Sequence, residues 1–257
     1  MRENYRPISL TSIVCKISEK IVRNRITSFW QNQDVINKNQ FGFLQGRSTT
    51  TQLLSTIHDF AKSRNSSCAT DVIFLDLAKA FDSVPHERLL IKLRSLGLEG
   101  NLLNWLRHFL TCRKQRVVVR GTFSEWAPVV SGIPQGTILG PILFVSYIND
   151  IADCVSSNIK LYADDTKIYR EFRNPTSDIQ MLQSDLDSIG YWANTWQLRF
   201  NEEAGSRTQH TQILRLLHHQ KQYGLIVILF ICVHCHTTCI IMSREKERSY
   251  SMFIRDD

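Results

Sequence analysis

Ile13, Ile17, Ile21, Ile26 and Trp30 recur at helical spacing across residues 10–32, with Thr11 and Ser12 ahead of them as N-cap candidates. A second helix is predicted over 50–64, after the turn-rich segment "FGFLQGRST". The pattern then changes: "DVIFLDLAKAFDSV" opens with a β-branched and aromatic run that predicts a buried strand ending near Asp76. Helices follow over 86–97 and 100–112, the latter carrying Leu102, Leu103, Trp105, Leu106 and Leu110. "KQRVVVRG" and "SEWAPVVSG" predict two strands joined through Gly121. "TILGPILFVSYINDIADCV" predicts a helix that tolerates Pro141 because it falls near the first turn. Strands on either side of "YADD" and an amphipathic helix over about 178–196 complete a mixed α/β unit without internal repeats.

After Asn201 the character changes. The polar "EEAGSRTQHTQ" leads to "GLIVILFICVHCHTTCIIM" (224–242), whose 19 residues approach the roughly 20 needed to span a bilayer. Its two histidines and two threonines weaken that reading, and a buried strand or helix fits as well. The same stretch contains Cys232, His234, Cys235, His236 and Cys239, which are zinc-type ligands. They crowd together instead of forming two short pairs across a longer loop, so an apolar tail carrying cysteines is the alternative.

Composition adds three constraints. A hydrophobic content of 43% suits a globular core, and a net charge of +7 with a pI near 9.1 favours an anionic partner such as nucleic acid. Seven scattered cysteines lack the density of a secreted disulfide scaffold and point to a reducing compartment. The opening "MRENYRPISLTS" has no apolar signal core, so an intracellular protein is expected.

The candidate chemistry lies in the carboxylates. Asp76 ends a strand, and Asp164 and Asp165 are adjacent at a tight turn, so neighbouring strands of one sheet would bring the three to one edge. Converging ionised carboxylates need a cation, and acidic oxygens with water suit Mg²⁺. Two such ions about 3.5–4 Å apart activate an attacking oxygen and stabilise a leaving one. The alternative is a capped turn with Asp164 solvated, and spacing alone leaves both open. "SGIPQGTILGP" (131–141) places Gly132, Pro134, Gly136 and Gly140 in a loop entering a helix, where bare backbone would let a nucleotide or template strand approach. Phe81 is placed to wall a sugar pocket or simply to pack in the core.

In order, "NYRPISLTSIVCKISEKIVRNRI" (4–26), "NQFGFLQGRSTTTQLL" (39–54), "FLDLAKAFDSVPHERLLIKL" (74–93), "GIPQGTILGPILFVSYINDI" (132–151), "LYADDTKIY" (161–169) and "WANTWQLRFNEE" (192–203) resemble the reverse transcriptase domain of non-LTR (LINE-like, jockey/CR1-type) retrotransposons. The resemblance covers about residues 2–203. It implies an α+β fold with the fingers and palm of a right-hand polymerase, an antiparallel sheet backed by helices. Fingers would occupy 1–70, the palm 71–203, and a divergent tail 204–257.

By the same resemblance, Asp76 and Asp164 match the metal-binding aspartates and Asp165 the paired acidic residue. Phe81 matches the aromatic gate that excludes a ribose 2′-hydroxyl, and Gln135 and Gly136 match the loop beside the templating base. Arg6 matches a fingers arginine that contacts the incoming triphosphate, and Tyr162 and Ala163 lie on the primer-grip side. The implied cofactor is two Mg²⁺ ions, with Mn²⁺ as a substitute. The implied partners are an RNA template, a DNA primer and dNTP, with no clear protein partner, in a nuclear or cytoplasmic ribonucleoprotein. The chain departs from the family pattern at both ends. On this reading the strand with a fingers lysine and an endonuclease region are expected to be lacking ahead of residue 4, and "AGSRTQHTQ" stands where a lysine motif and thumb are expected. The expectation is therefore a reverse transcriptase with a missing or incomplete thumb, and the alternative is an inactive remnant that retains only nucleic-acid binding.

Overall fold

The computed structural model describes the backbone of residues 7–200, 211–216, 225–231, 238–244 and 251–253, and the side chains of 7–200. It divides into two units, Met1–Leu216 and Leu217–Asp257.

The first unit begins with α1 (Ile13–Asn32), whose N-cap Ser12 accepts from Cys15 N at 3.3 Å. A reciprocal capping box between Ser48 and Thr51 starts α2 (Thr49–Asn65). Then come β1 (Ala69–Leu75), α3 (Ala80–Ser83), α4 (His86–Ser95) and α5 (Gly100–Leu110). Four two-residue strands follow: β2 (Lys114–Gln115), β3 (Val118–Val119), β4 (Thr122–Phe123) and β5 (Ala127–Pro128). The chain continues through α6 (Gly140–Tyr147), a 3-10 turn (Asn149–Cys154), β6 (Asn158–Tyr162), β7 (Asp165–Phe172), α7 (Pro175–Trp196) and β8 (Thr211–Leu216). The predicted helices are present, as are the strands ending near Asp76 and flanking "YADD", but the two strands expected over "KQRVVVRG" and "SEWAPVVSG" are broken into the four short ones. The helix expected over "TILGPILFVSYINDIADCV" is shorter, with its second half wound as the 3-10 turn.

The main sheet has the order β6-β7-β1-β8, and every pair in it is antiparallel. Ile159, Ile168 and Ile73 form one cross-strand row, with Leu161, Thr166 and Leu75 as the next row on the same face. All six are buried and, Thr166 apart, join the main hydrophobic cluster. On the other face, Tyr169 meets Phe60 of α2 edge-on at 5.2 Å and donates to Asp59. Covered on both faces, β1 is a near-continuous apolar run instead of an alternating one. β8, from the segment read as tail, lies along β1 from Thr211↔Leu75 to Leu216↔Thr70.

Core helix α6 is apolar all round, "GPILFVSY", and accordingly buried from Ile142 to Tyr147. Pro141 falls at its start, where a missing N–H costs nothing. The stripe on α1 is split, with Ile26 and Trp30 buried and Ile13, Ile17 and Ile21 exposed.

Lys92 of α4 ties four elements together. Its ammonium donates to Tyr147 O at the end of α6 and to Asp150 Oδ1 (2.5 Å), and it lies over the rings of Trp196 (3.9 Å), Trp192 (4.7 Å) and Tyr147 (4.9 Å). Trp192 Nε1 donates to the same Asp150 oxygen at 3.0 Å.

The second unit is a three-stranded antiparallel sheet ordered β11-β10-β9, with β9 at Leu225–Ile231, β10 at Thr238–Arg244 and β11 at Ser251–Phe253. The apolar run 224–242 thus supplies parts of two strands and no single helix, in keeping with its Ile- and Val-rich composition. Among the described residues no helix is long and apolar enough to cross a membrane. Of the zinc-type set, Cys232, His234, Cys235 and His236 lie outside the described residues, and Cys239 is described in backbone only.

Burial lowers the pKa of Lys92 from 10.5 to about 8 against the opposing pull of Asp150. The unfolded chain therefore holds a proton between about pH 8 and 10.5 that the folded chain has released, so this group makes folding more favourable as pH rises through that window. The gain is on the order of 3 kcal/mol. In denaturant titrations, wild-type stability minus that of Lys92→Met should climb across this range, and a flat difference would disprove the assignment.

Candidate active site

The β1–β7 ladder ends with Leu75 opposite Thr166, so the next position on each strand brings Asp76 across from Asp165. Asp165 also pairs with Tyr162 across β6–β7, which leaves Ala163 and Asp164 as a two-residue hairpin loop. Asp76, Asp164 and Asp165 are all half-buried at this end of the sheet.

The turn is strained and braced. Ala163 has φ +52°, a conformation glycine usually supplies and one that costs an L-residue about 1–2 kcal/mol. Its N–H donates to Oε1 of the fully buried Gln40 at 3.0 Å, and that oxygen also accepts from Gly42 N at 2.7 Å. Residues 39–42 lie beside β6 through a single parallel bridge, Gln40↔Leu161, with Leu161 N donating to Asn39 O (2.9 Å) and Phe41 N donating to Leu161 O (2.8 Å). A Cβ on Gly42 would come within 2.4 Å of Ala163 N, so only glycine allows this approach. Arg47 secures the segment by donating to Lys38 O (2.8 Å) and to Gln40 O.

Phe81 lies in α3, entered through Lys79 at φ +47°. Its half-buried ring stacks on Phe144 of α6 (4.3 Å, 18°) and meets Phe43 edge-on at 6.4 Å. The 131–136 loop docks on this segment: Ile133 N donates to Phe81 O (2.7 Å), Gly132 N to Val84 O (2.8 Å), and Gln135 Nε2 to Asp82 Oδ1 (2.7 Å). Gln135 and Phe81 are thereby brought to one place.

The expectation of bare backbone along the whole loop needs correction. A Cβ on Gly132 would lie 2.8 Å from Asp82 O, and one on Gly140 would lie 2.9 Å from Pro134 O, so both glycines serve the packing of the protein on itself. Buried Glu19 of α1 accepts from Ile138 N (2.7 Å) and Leu139 N (3.2 Å), occupying donors at the entry to α6. Half-buried Gln135 and exposed Gly136 (φ +82°) present the loop to solvent.

Arg6 lies outside the described residues. Among the described residues, no group of three or more His, Cys, Asp or Glu side chains is arranged to hold a metal ion. The donor chemistry nevertheless fits a hard divalent cation, because the ladder sets two acceptor-only carboxylates across from one another and a third in the adjoining turn. Gln40, Gly42, Asp82 and Glu19 had no periodic signature. The only pointer was that the first two lie in "NQFG" and that Asp82 follows Phe81.

Comparisons with known proteins bear on the family and the fold. A sequence profile described as "Reverse transcriptase (RNA-dependent DNA polymerase)" matches residues 2–216. The chain is 32% identical over 209 residues to the RNA-directed DNA polymerase from mobile element jockey of Drosophila melanogaster, covering 78% of this chain and 23% of that protein. It is 29% identical over 209 residues to the probable RNA-directed DNA polymerase from transposon BS of the same fly, with the same coverage of each. The chain thus spans about a quarter of the length of these relatives. In fold it is similar to apo telomerase from Candida tropicalis (TM-score 0.59, 9% identity, 88% of this chain and 41% of that one). It is also similar to telomerase from Candida albicans in complex with a fragment of telomeric RNA (TM-score 0.53, 12% identity, 80% and 37%). The profile match over most of its length shows that the chain belongs to the reverse transcriptase family, as a domain of the kind found in non-LTR retrotransposons.

Proposed function

We propose that this domain copies RNA into DNA, transferring a nucleotidyl group from dNTP to a primer 3′-hydroxyl. The observation that carries this reading is the β1–β7 register, which sets Asp76 across from Asp165 beside the turn bearing Asp164. In the reaction the 3′-oxygen bonds to the α-phosphorus, the α–β phosphoanhydride bond breaks, pyrophosphate leaves and the hydroxyl proton passes to solvent.

Reverse transcriptases use divalent metal ions, and here Asp76 and Asp164, with Asp165 beside them, would hold Mg²⁺. When bound, the metal supplies charge neutralisation at the attacking and leaving oxygens. Gln40 and Gly42 keep the turn rigid, so the carboxylates need little rearrangement. Phe81, backed by Phe144, forms a firm wall against the sugar, while Gln135 and Gly136 face the templating base. Tyr162 and Ala163 border the primer end, and Arg6 would meet the triphosphate. Template and primer binding runs through phosphates and falls steeply with salt. The working setting is a ribonucleoprotein in nucleus or cytoplasm.

Primer extension on an RNA template with dNTP and Mg²⁺ tests the proposal. Asp164→Asn should slow it by about 100-fold or more. No extension by the wild type, with template–primer still bound, would instead favour the inactive remnant.

Phe81→Ala should raise ribonucleotide incorporation relative to deoxyribonucleotide by roughly tenfold or more, as removal of a steric wall does. Retained DNA synthesis shows that the variant is folded, and unchanged sugar selectivity would remove the gate role.

Gly42→Ala forces a methyl group against the Ala163 backbone, which no side-chain rotation relieves. It should cost about 1–3 kcal/mol in chemical denaturation and depress extension with it. Wild-type stability in this variant would contradict the brace.

A further inference from the structure

The segment between α5 and the 131–136 loop rises from the surface as a β-ribbon. Lys114 and Gln115 pair with Pro128 and Ala127, and Val118 and Val119 pair with Phe123 and Thr122. Arg120 and Gly121 form the tip, both at positive φ (49° and 82°), as a tight two-residue hairpin turn requires. The two ladders are out of step by one residue, so Arg116 stands opposite both Glu125 and Trp126 across a bulge. Residues 114–128 are all exposed.

The bulge aims one cation at two rings. The Arg116 guanidinium lies 4.1 Å from the ring centroid of Phe123 and 4.5 Å from that of Trp126, and both rings stay more than half exposed, at 55% and 56%. Lys114, Arg116, Val118 and Phe123 share a face by alternation and register. With Arg113 and Arg120, the segment 113–130 carries four cations against one acid, Glu125. Large exposed rings beside clustered cations waste apolar surface unless something flat and anionic covers them.

The ribbon is also tied to the template-side loop. At its root Arg113 Nη2 donates to Ser9 Oγ (2.9 Å), and Ser9 N donates to Gln135 O (2.9 Å).

We propose that this ribbon is a stacking platform for single-stranded nucleic acid, with bases lying on Phe123 and Trp126 and phosphates meeting Lys114, Arg116 and Arg120. The more than half-exposed rings, with Arg116 over them, suit unpaired bases, whereas a duplex would offer them only phosphates and sugars. The position beside Gln135 makes the uncopied template the strand held there, a point that rests on the polymerase reading. Binding itself does not depend on that reading, and the test needs neither metal nor dNTP.

The experiment is fluorescence anisotropy of the full chain with labelled oligouridine in EDTA, alongside an abasic strand of equal length. Phe123→Ala/Trp126→Ala should bind oligouridine roughly tenfold or more weakly and bind the abasic strand like wild type. Trp126→Phe, tested alone, should retain most of the affinity. Arg116→Gln should reduce the salt slope by about 0.7. Wild-type affinity of the double-ring variant for oligouridine would overturn the proposal. So would an equal loss on the abasic strand. Primer extension, run separately, reports on the catalytic reading, so the failure of one is distinguishable from the failure of the other.

Discussion

One antiparallel register, Leu75 opposite Thr166, governs the geometry of the site. It alone carries Asp76 to Asp165 across some ninety residues of sequence. Because side chains alternate every residue, a slip by one would drive Ile168 and Thr166 off the face packed in the main hydrophobic cluster and set Asp164 against Asp76. The isoleucine row through β6, β7 and β1, with Tyr169 locked to α2 on the opposite face, makes such a slip costly. The arrangement of the three carboxylates is therefore specified by burial elsewhere in the sheet.

Around that ladder, the walls of the site are held by buried polar side chains from the N-terminal segments. Gln40 braces the hairpin turn, and Glu19 closes the entry to α6. Each accepts two backbone N–H bonds, so removing either would leave donors unmatched in a dry setting, which is more costly than never having formed them. The backbone strain at Ala163 is sustained by this bracing and falls in the turn that carries Asp164.

Two cation–ring assemblies differ chiefly in burial. Lys92 is enclosed by Tyr147, Trp192 and Trp196 and paired with Asp150; its loss of hydration is reflected in a lowered pKa, and its work is to join helices. Arg116 lies over Phe123 and Trp126 on an exposed ribbon, where the same attraction holds a flat, charged surface open to solvent. The difference between them comes from exposure more than from chemistry.

The local signals in the sequence were sufficient for the longer helices and the N-cap of α1, the hairpin at "YADD", the proline at the start of α6, and the ordered motifs that place the chain in its family. These depend on interactions within a few residues, where periodicity and turn chemistry act. Tertiary structure alone decided which half of the α1 stripe is buried, which glycines of 131–141 are consumed by packing, and that the run 224–242 divides between two strands. It also chose Gln40 and Glu19, whose roles arise only when segments more than a hundred residues apart meet. Periodicity says that a side chain faces inward, but strand order, register and close backbone approach say what it will find there.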